Sequence, residues 1–314
     1  MSSIVVTAAG HSRSRTGIAG GVTRLPSMTG QGSVSMSHRP LVGALWREHS
    51  AEYIERVSDV TCVEVMFEDL ADLNQLPHSL KRLKARGVEI LVHGATLSLG
   101  SAERPDPRRL ARMARVADLV DAPLVSEHVA FVRASEVDSW HVLPLHRTRD
   151  TLEVFLENLA EAKELIGRPF AVENVAHLFD WSDHEMDQGT FLREVLVQGD
   201  VQLLLDVENL RIDEVNLGMD ATHVIDAIPL ERLAYVHMAG GAEKDGVAFD
   251  THSAPISRET YHLLESLAER VDVPRVTIER DVQLTSAEEL RTELNGINEA
   301  LARGTARRLE RAPG

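Results

Sequence analysis

Residues 151–174 read TLEVFLENLAEAKELIGRPFAVEN, and this stretch decides the fold. Leu152, Phe155 and Leu159 recur at helical spacing, so the first part has one apolar face to bury. Gly167 and Pro169 close that helix and release the chain into a short apolar run, Pro169 to Glu173, which ends on a carboxylate. A helix that feeds straight into a buried strand is half of a βαβ unit, and it predicts a parallel sheet covered by helices.

The same unit recurs on both sides. Short apolar runs span Leu41 to Leu45, Cys62 to Val65, Glu89 to His93, Pro123 to Glu127, Pro169 to Glu173, Val201 to Asp206, Arg232 to His237 and Arg275 to Glu279. Between them, Leu110, Met113 and Val116 form another helical stripe, opened by Asp106 as cap and Pro107 as first-turn residue. Eight runs predict an α/β fold, a (β/α)8 TIM barrel, as one domain over residues 40–314. Residues 1–39 are rich in Ser, Gly and Thr with no sustained apolar period, and they read as a disordered N-terminal tail.

Composition narrows the function. A chain of 314 residues that is 43% hydrophobic and 26% charged can bury a sizeable core. Its formal net charge of −16 opposes a nucleic-acid phosphate backbone, so no nucleic-acid partner is expected. The one cysteine, Cys62, excludes a disulfide framework and any thiolate-rich metal site, which fits a reducing, cytoplasmic location. No run of 18 or more apolar residues is present, so no membrane association is expected.

Six of the eight runs end in side chains able to bind a hard or borderline cation. They are His93 on the third, Glu127 and His128 on the fourth, Glu173 on the fifth, Asp206 on the sixth, His237 on the seventh and Glu279 on the eighth. In a parallel barrel all strands open their carboxyl ends on one face, so these distant residues are expected to meet there. Asn209 follows Asp206 by three positions, and Asp250-x-His252 adds a carboxylate and an imidazole after the seventh run. Asp250 and His252 are expected to ligate either through a turn of that loop or each on a different ion.

Any one of these residues has an ordinary alternative. A lone strand-end His is commonly a hydrogen-bonded structural residue, and Asp206 or Glu173 alone reads equally well as a helix cap. The set as a whole does not. Four carboxylates and four imidazoles buried together without cations would suffer severe desolvation and repulsion, so two or more metal ions are expected. Imidazole and carboxylate without thiolate suit iron, zinc or manganese and do not choose among them.

The stretches HGATLSLGS (93–101), VSEHVAF (125–131), ENV (173–175), LLLDVENL (203–210), VHMAGG (236–241), DTHSAPI (250–256) and IERD (278–281) resemble the multinuclear non-haem iron-dependent oxidative enzymes, within the xylose isomerase-like barrel superfamily. The resemblance runs from about Leu41 to Asp281. It implies two or three irons in mixed Fe(II)/Fe(III) states and dioxygen-dependent modification of residues, often cysteine, in a ribosomally made precursor peptide. A separate leader-binding protein is the implied partner. Carried over position by position, it implies His93, His128, Glu173, Asp206, Asn209, His237, Asp250, His252 and Glu279 as ligands, with Glu127, Arg280 and Asp281 orienting them.

Two positions depart from the family pattern: Gly241, where relatives often carry His, and Asp69, where they often carry Asn. Glu64 and Glu68 lie near the second run's end, with the pocket and the solvated surface as equal alternatives. The rival reading is a zinc- or manganese-dependent hydrolase or isomerase of the same superfamily acting on a sugar or phosphoester. A noncatalytic scaffold with structural metals is a third, disfavoured because closed structural sites leave no open mouth.

Overall fold

Each of the eight apolar runs forms a strand of one closed parallel barrel. The computed structural model describes residues 39–135, 137–280, 284 and 286–311; the expected tail, apart from Arg39, and Asp281 lie outside these described residues. In chain order the strands are β1 (Leu41–Leu45), β2 (Cys62–Met66), β3 (Glu89–Gly94), β4 (Val125–His128), β5 (Ala130–Ala134), β6 (Val137–Pro144), β7 (Phe170–Glu173), β8 (Gln202–Asp206), β9 (Leu233–Ala239), β10 (Ala242–Lys244), β11 (Val247–Phe249) and β12 (Arg275–Glu279). The barrel closes in the order β1-β12-β9-β8-β7-β4-β3-β2. The remaining strands form two antiparallel hairpins, β5 with β6 and β10 with β11, in the connections after β4 and β9.

Helix ends follow the local chemistry. Asp106 accepts a hydrogen bond from Arg108 N at the start of helix Pro107–Val120. Thr148 caps helix Arg149–Ile166, which stops where Gly167 takes φ +64°. The stripes Leu110, Met113, Val116 and Leu152, Phe155, Leu159 are buried against the sheet, as helical spacing demands.

Inside the barrel, side chains alternate with a period of two, so each interior residue has another two positions further along its strand. Leu91, Leu124, Ala171, Leu204, Ala234 and Tyr235 form a separate apolar cluster, the floor. Two residues beyond Leu91, Ala171, Leu204 and Tyr235 stand His93, Glu173, Asp206 and His237. Parallel register completes the ring, pairing His93 with Ser126, His128 with Glu173 and Asp206 with His237 across neighbouring strands.

Candidate metal centre

The ring of strand ends brings the expected ligands into two overlapping donor groups. His93, His128 and Glu173 offer one ligand atom each within 4.8 Å of one another, and so do Glu173, Asp206, His237 and Glu279. Glu173 belongs to both. Its Oε2 lies 3.2 Å from His93 Nε2 and 3.3 Å from His128 Nε2, whereas its Oε1 lies 3.1 Å from His237 Nδ1. A carboxylate that turns one oxygen to each group has the geometry of a bridge between two cations.

Several buried polar atoms fit a cation better than they fit the protein. Asp206 uses Oδ1 to cap helix Val207–Leu217 by accepting from Asn209 N at 2.8 Å, while its Oδ2 has no hydrogen-bond partner. Asn209 gives its amide to Asn174 O at 3.0 Å, which leaves its Oδ1 without one as well. Glu173 Oε2 accepts no hydrogen bond of good geometry although two imidazole nitrogens face it. Buried polar atoms are rarely left this way, and a divalent ion is a partner that would satisfy them. The donor set of oxygen and imidazole nitrogen fits the iron, zinc or manganese class.

The loop after β9 turns back on itself. His252 adopts φ +49°, a left-handed conformation, which sets its Nε2 2.8 Å from Asp250 Oδ1 and 3.3 Å from Glu279 Oε2. Of the two sequence alternatives, the turning loop is the one found. Glu279 thereby touches both His252 and His237, the latter at 3.1 Å, and joins this third pair to the second donor group.

Charges in the cluster are strongly interdependent. Burial, then the neighbouring His128 and His237, hold the His93 imidazole well below its ordinary range. Burial also opposes charge on His128, but Glu173 and Glu127 outweigh it and push the imidazole up to about 10. His237 is raised well above its usual value because Glu279, Glu64 and Glu173 outweigh burial. Burial first, then Asp250, Glu173 and Glu279, lift the Asp206 carboxyl well above the carboxylate range. Burial acts the same way on Glu279, yet His237 and His252 hold it well below. Without cations, this cluster stands only by keeping protons on His128, His237 and Asp206.

Of the residues expected to orient the ligands, Glu127 accepts from His128 N and Leu97 N, both at 2.9 Å, and so ties the β3 exit loop to a ligand. Arg280 instead reaches Glu289 and Glu293 of the final helix, Ala287–Arg311. Asp69 pairs with Arg47 at 2.7 Å. At Gly241 a Cβ would stand 2.4 Å from Phe249 O, so the β10–β11 hairpin leaves no room there for the His of relatives.

Glu68 bends over the mouth and accepts from Ala95 N and Thr96 Oγ1. Glu64, with solvent as an equal alternative in the sequence, is fully buried inside the barrel. Ser126 and Tyr235 went unnoticed in the sequence. The signal for both was period two, since each precedes a residue of the donor groups, His128 and His237, by two positions on its own strand. An open groove of about 1250 Å³, lined by Trp46, Arg47, Asp69 and Gln75 among others, runs beside the ends of β1 and β2.

Comparison with known proteins places this architecture. Among solved structures, an L-ribulose 3-epimerase matches with a TM-score of 0.58 at 14% identity, covering 87% of this chain and 99% of that one. A D-tagatose 3-epimerase-like protein matches at 0.54 and 15%, covering 84% and 99%. At such identities the likeness speaks for the xylose isomerase-like barrel alone. A UPF0276 protein of Streptomyces avermitilis is 41% identical over 272 residues, which are 84% of this chain but only 56% of that relative's length. One from Chromobacterium violaceum is 31% identical over 245 residues, covering 78% of this chain and 88% of the relative. The model of the family described as RiPP precursor modification enzyme MbnB/TglH/ChrH, whose substrates are ribosomally made peptides, matches residues 42–302. The chain belongs to the MbnB/TglH/ChrH family of RiPP precursor modification enzymes.

Proposed function

We propose that this protein is a multinuclear iron enzyme that uses dioxygen to modify residues, cysteine foremost, of a ribosomally made precursor peptide. The observation that carries the reading is the shared Glu173, with its two oxygens facing separate donor groups and the partnerless Asp206 Oδ2 and Asn209 Oδ1 beside it. Two ions would be held by His93, His128 and Glu173 and by Glu173, Asp206, Asn209, His237 and Glu279. Asp250 and His252, beside Glu279, would hold a third. Iron bound there supplies the redox chemistry with dioxygen that oxidation of a peptide side chain requires.

The remaining work falls to the chain. Glu127 keeps His128 and the β3 exit loop in place, and Glu68 pins the start of that loop through the Ala95 backbone N–H and the Thr96 hydroxyl. The groove at Trp46 and Arg47 gives an extended peptide room to approach the mouth. A leader-binding partner protein would then deliver the peptide, in keeping with the family. No helix among the described residues is long and apolar enough to cross a membrane.

Aerobic incubation of the iron-loaded protein with the small peptide encoded beside it, with its partner, tests the reading by peptide mass. A mass change that requires both iron and dioxygen is expected; an unchanged peptide refutes it. Metal analysis after anaerobic purification separates the rival, because stoichiometric zinc or manganese with no oxygen uptake would favour a hydrolase or isomerase.

A further inference from the structure

On the floor side, the two donor groups are joined by side chains that are not ligands. His93 Nδ1 lies 2.7 Å from Ser126 Oγ, which lies 2.5 Å from the Tyr235 hydroxyl. Tyr235 donates to Glu64 Oε2 at 2.7 Å, and His237 Nε2 stands 3.1 Å from the same oxygen. All five residues are at most 1% exposed, so water supplies no alternative partner. The chain crosses the barrel from β3 through β4 and β9 to β2 and returns to β9.

The number of protons fixes the direction of every bond. As a carboxylate, Glu64 only accepts. Tyr235 has one hydroxyl proton and gives it to Glu64, so its oxygen can only accept from Ser126. Ser126 then spends its single proton on Tyr235 and can only accept from His93. His93 must therefore carry its hydrogen on Nδ1, and His237 must carry its own on Nε2. That leaves His93 Nε2 and His237 Nδ1, which lie 3.2 and 3.1 Å from opposite oxygens of Glu173, to give lone pairs to ions once His237 sheds the second proton it holds without them.

We propose that Glu64 is the common acceptor that sets the imidazole tautomer in both donor groups, directly at His237 and through Tyr235 and Ser126 at His93. Glu64, Tyr235 and Ser126 are thus positioning residues, and the two metal sites share one orienting carboxylate rather than having one each. Hydrogen-bonded partners behind metal-binding imidazoles raise affinity by fixing ring and tautomer. The asymmetry follows from connectivity, because breaking the relay at Tyr235 or Ser126 disconnects only His93, whereas changing Glu64 disturbs both rings. The proposal rests on the metal-centre reading but not on peptide oxidation, so failure of the peptide assay leaves it standing.

The test is anaerobic Co(II) titration of the full chain against a competing chelator, with anomalous diffraction to assign the occupied sites. Tyr235→Phe and Ser126→Ala are each expected to weaken the ion at His93, His128 and Glu173 by about 10- to 100-fold and to leave the ion at Asp206 and His237 unchanged. Glu64→Gln is expected to weaken both ions by a similar factor. A merely structural network predicts equal losses at both sites in every variant. Wild-type binding by Tyr235→Phe, or equal weakening of both ions by it, overturns the proposal.

Discussion

The floor and the mouth of the barrel are built from the same strands, two residues apart, and at His93, Glu173 and Asp206 the mouth is as buried as the floor. Leu91, Ala171 and Leu204 lie on one level, and His93, Glu173 and Asp206 on the next. The floor is complete without help, because apolar side chains gain free energy on burial and leave no bond unmade. The mouth is not, since its carboxylates and imidazoles oppose one another and some of their lone pairs find no partner. Equal burial thus has opposite meanings: packing below, and a demand for cations above.

The largest break in this comparison is expected from Glu173→Ala. Because Glu173 is the residue common to both donor groups, its loss should empty both, rather than one, and abolish peptide modification. Metal content of the purified variant checks this, and a variant that retains one ion at full affinity would show that the carboxylate is not a bridge. The fold should persist at a cost in stability, because the floor stays intact while His128 and His237 lose the carboxylate that partners them.

Leu204→Ala applies the matching cut two residues below Asp206. Leu204 is fully buried, so its truncation should cost about 2 to 5 kcal/mol in unfolding free energy while the metal content of the folded protein stays at wild-type level. Denaturant unfolding with parallel metal analysis reads both quantities. Metal loss without loss of stability would mean that the two layers are not separable.

That separation explains what could be read in the sequence. All eight barrel strands were legible within about two residues, because parallel strands covered on both faces are continuous apolar runs, and here six of them stop at an ionisable residue. The gathering of His93, His128, Glu173, Asp206, His237 and Glu279 was legible for the same reason, as side chains at the ends of parallel strands share a rim. The hairpins β5–β6 and β10–β11 were not, since they sit outside the barrel, are short or largely exposed, and carry no core-facing period. Ser126 and Tyr235 were hidden for a different reason. Serine and tyrosine are unremarkable in a strand, and only the register that sets His93 beside Ser126 makes them part of the site. Glu64 was half legible, a carboxylate in the run CVEVM that the sequence left open between pocket and solvent and that the structure buries.

The smallest effect expected is a pH dependence confined to the mouth, and its sign follows from where protons sit before metal enters. In the metal-free protein His128 is pushed up to about 10, so at pH 7 it holds a proton. Asp206, raised well above the carboxylate range, holds one more strongly than an ordinary carboxyl would. His93 is held well below its ordinary range and contributes none. An ion at His128 must expel its proton, so binding releases protons and affinity falls as the solution is made more acid. Each proton released weakens binding about tenfold, or about 1.4 kcal/mol, per pH unit below the pKa of the group that gives it up. Anaerobic titration in weak buffer should therefore show acidification on addition of Fe(II) or Zn(II) at pH 7, and affinity should rise from pH 6 to pH 8. Binding that is flat with pH and releases no proton would mean that the ions do not displace the protons of His128 and Asp206. Over the same interval the stability cost of Leu204→Ala should not change, because the leucine side chain carries no proton to exchange.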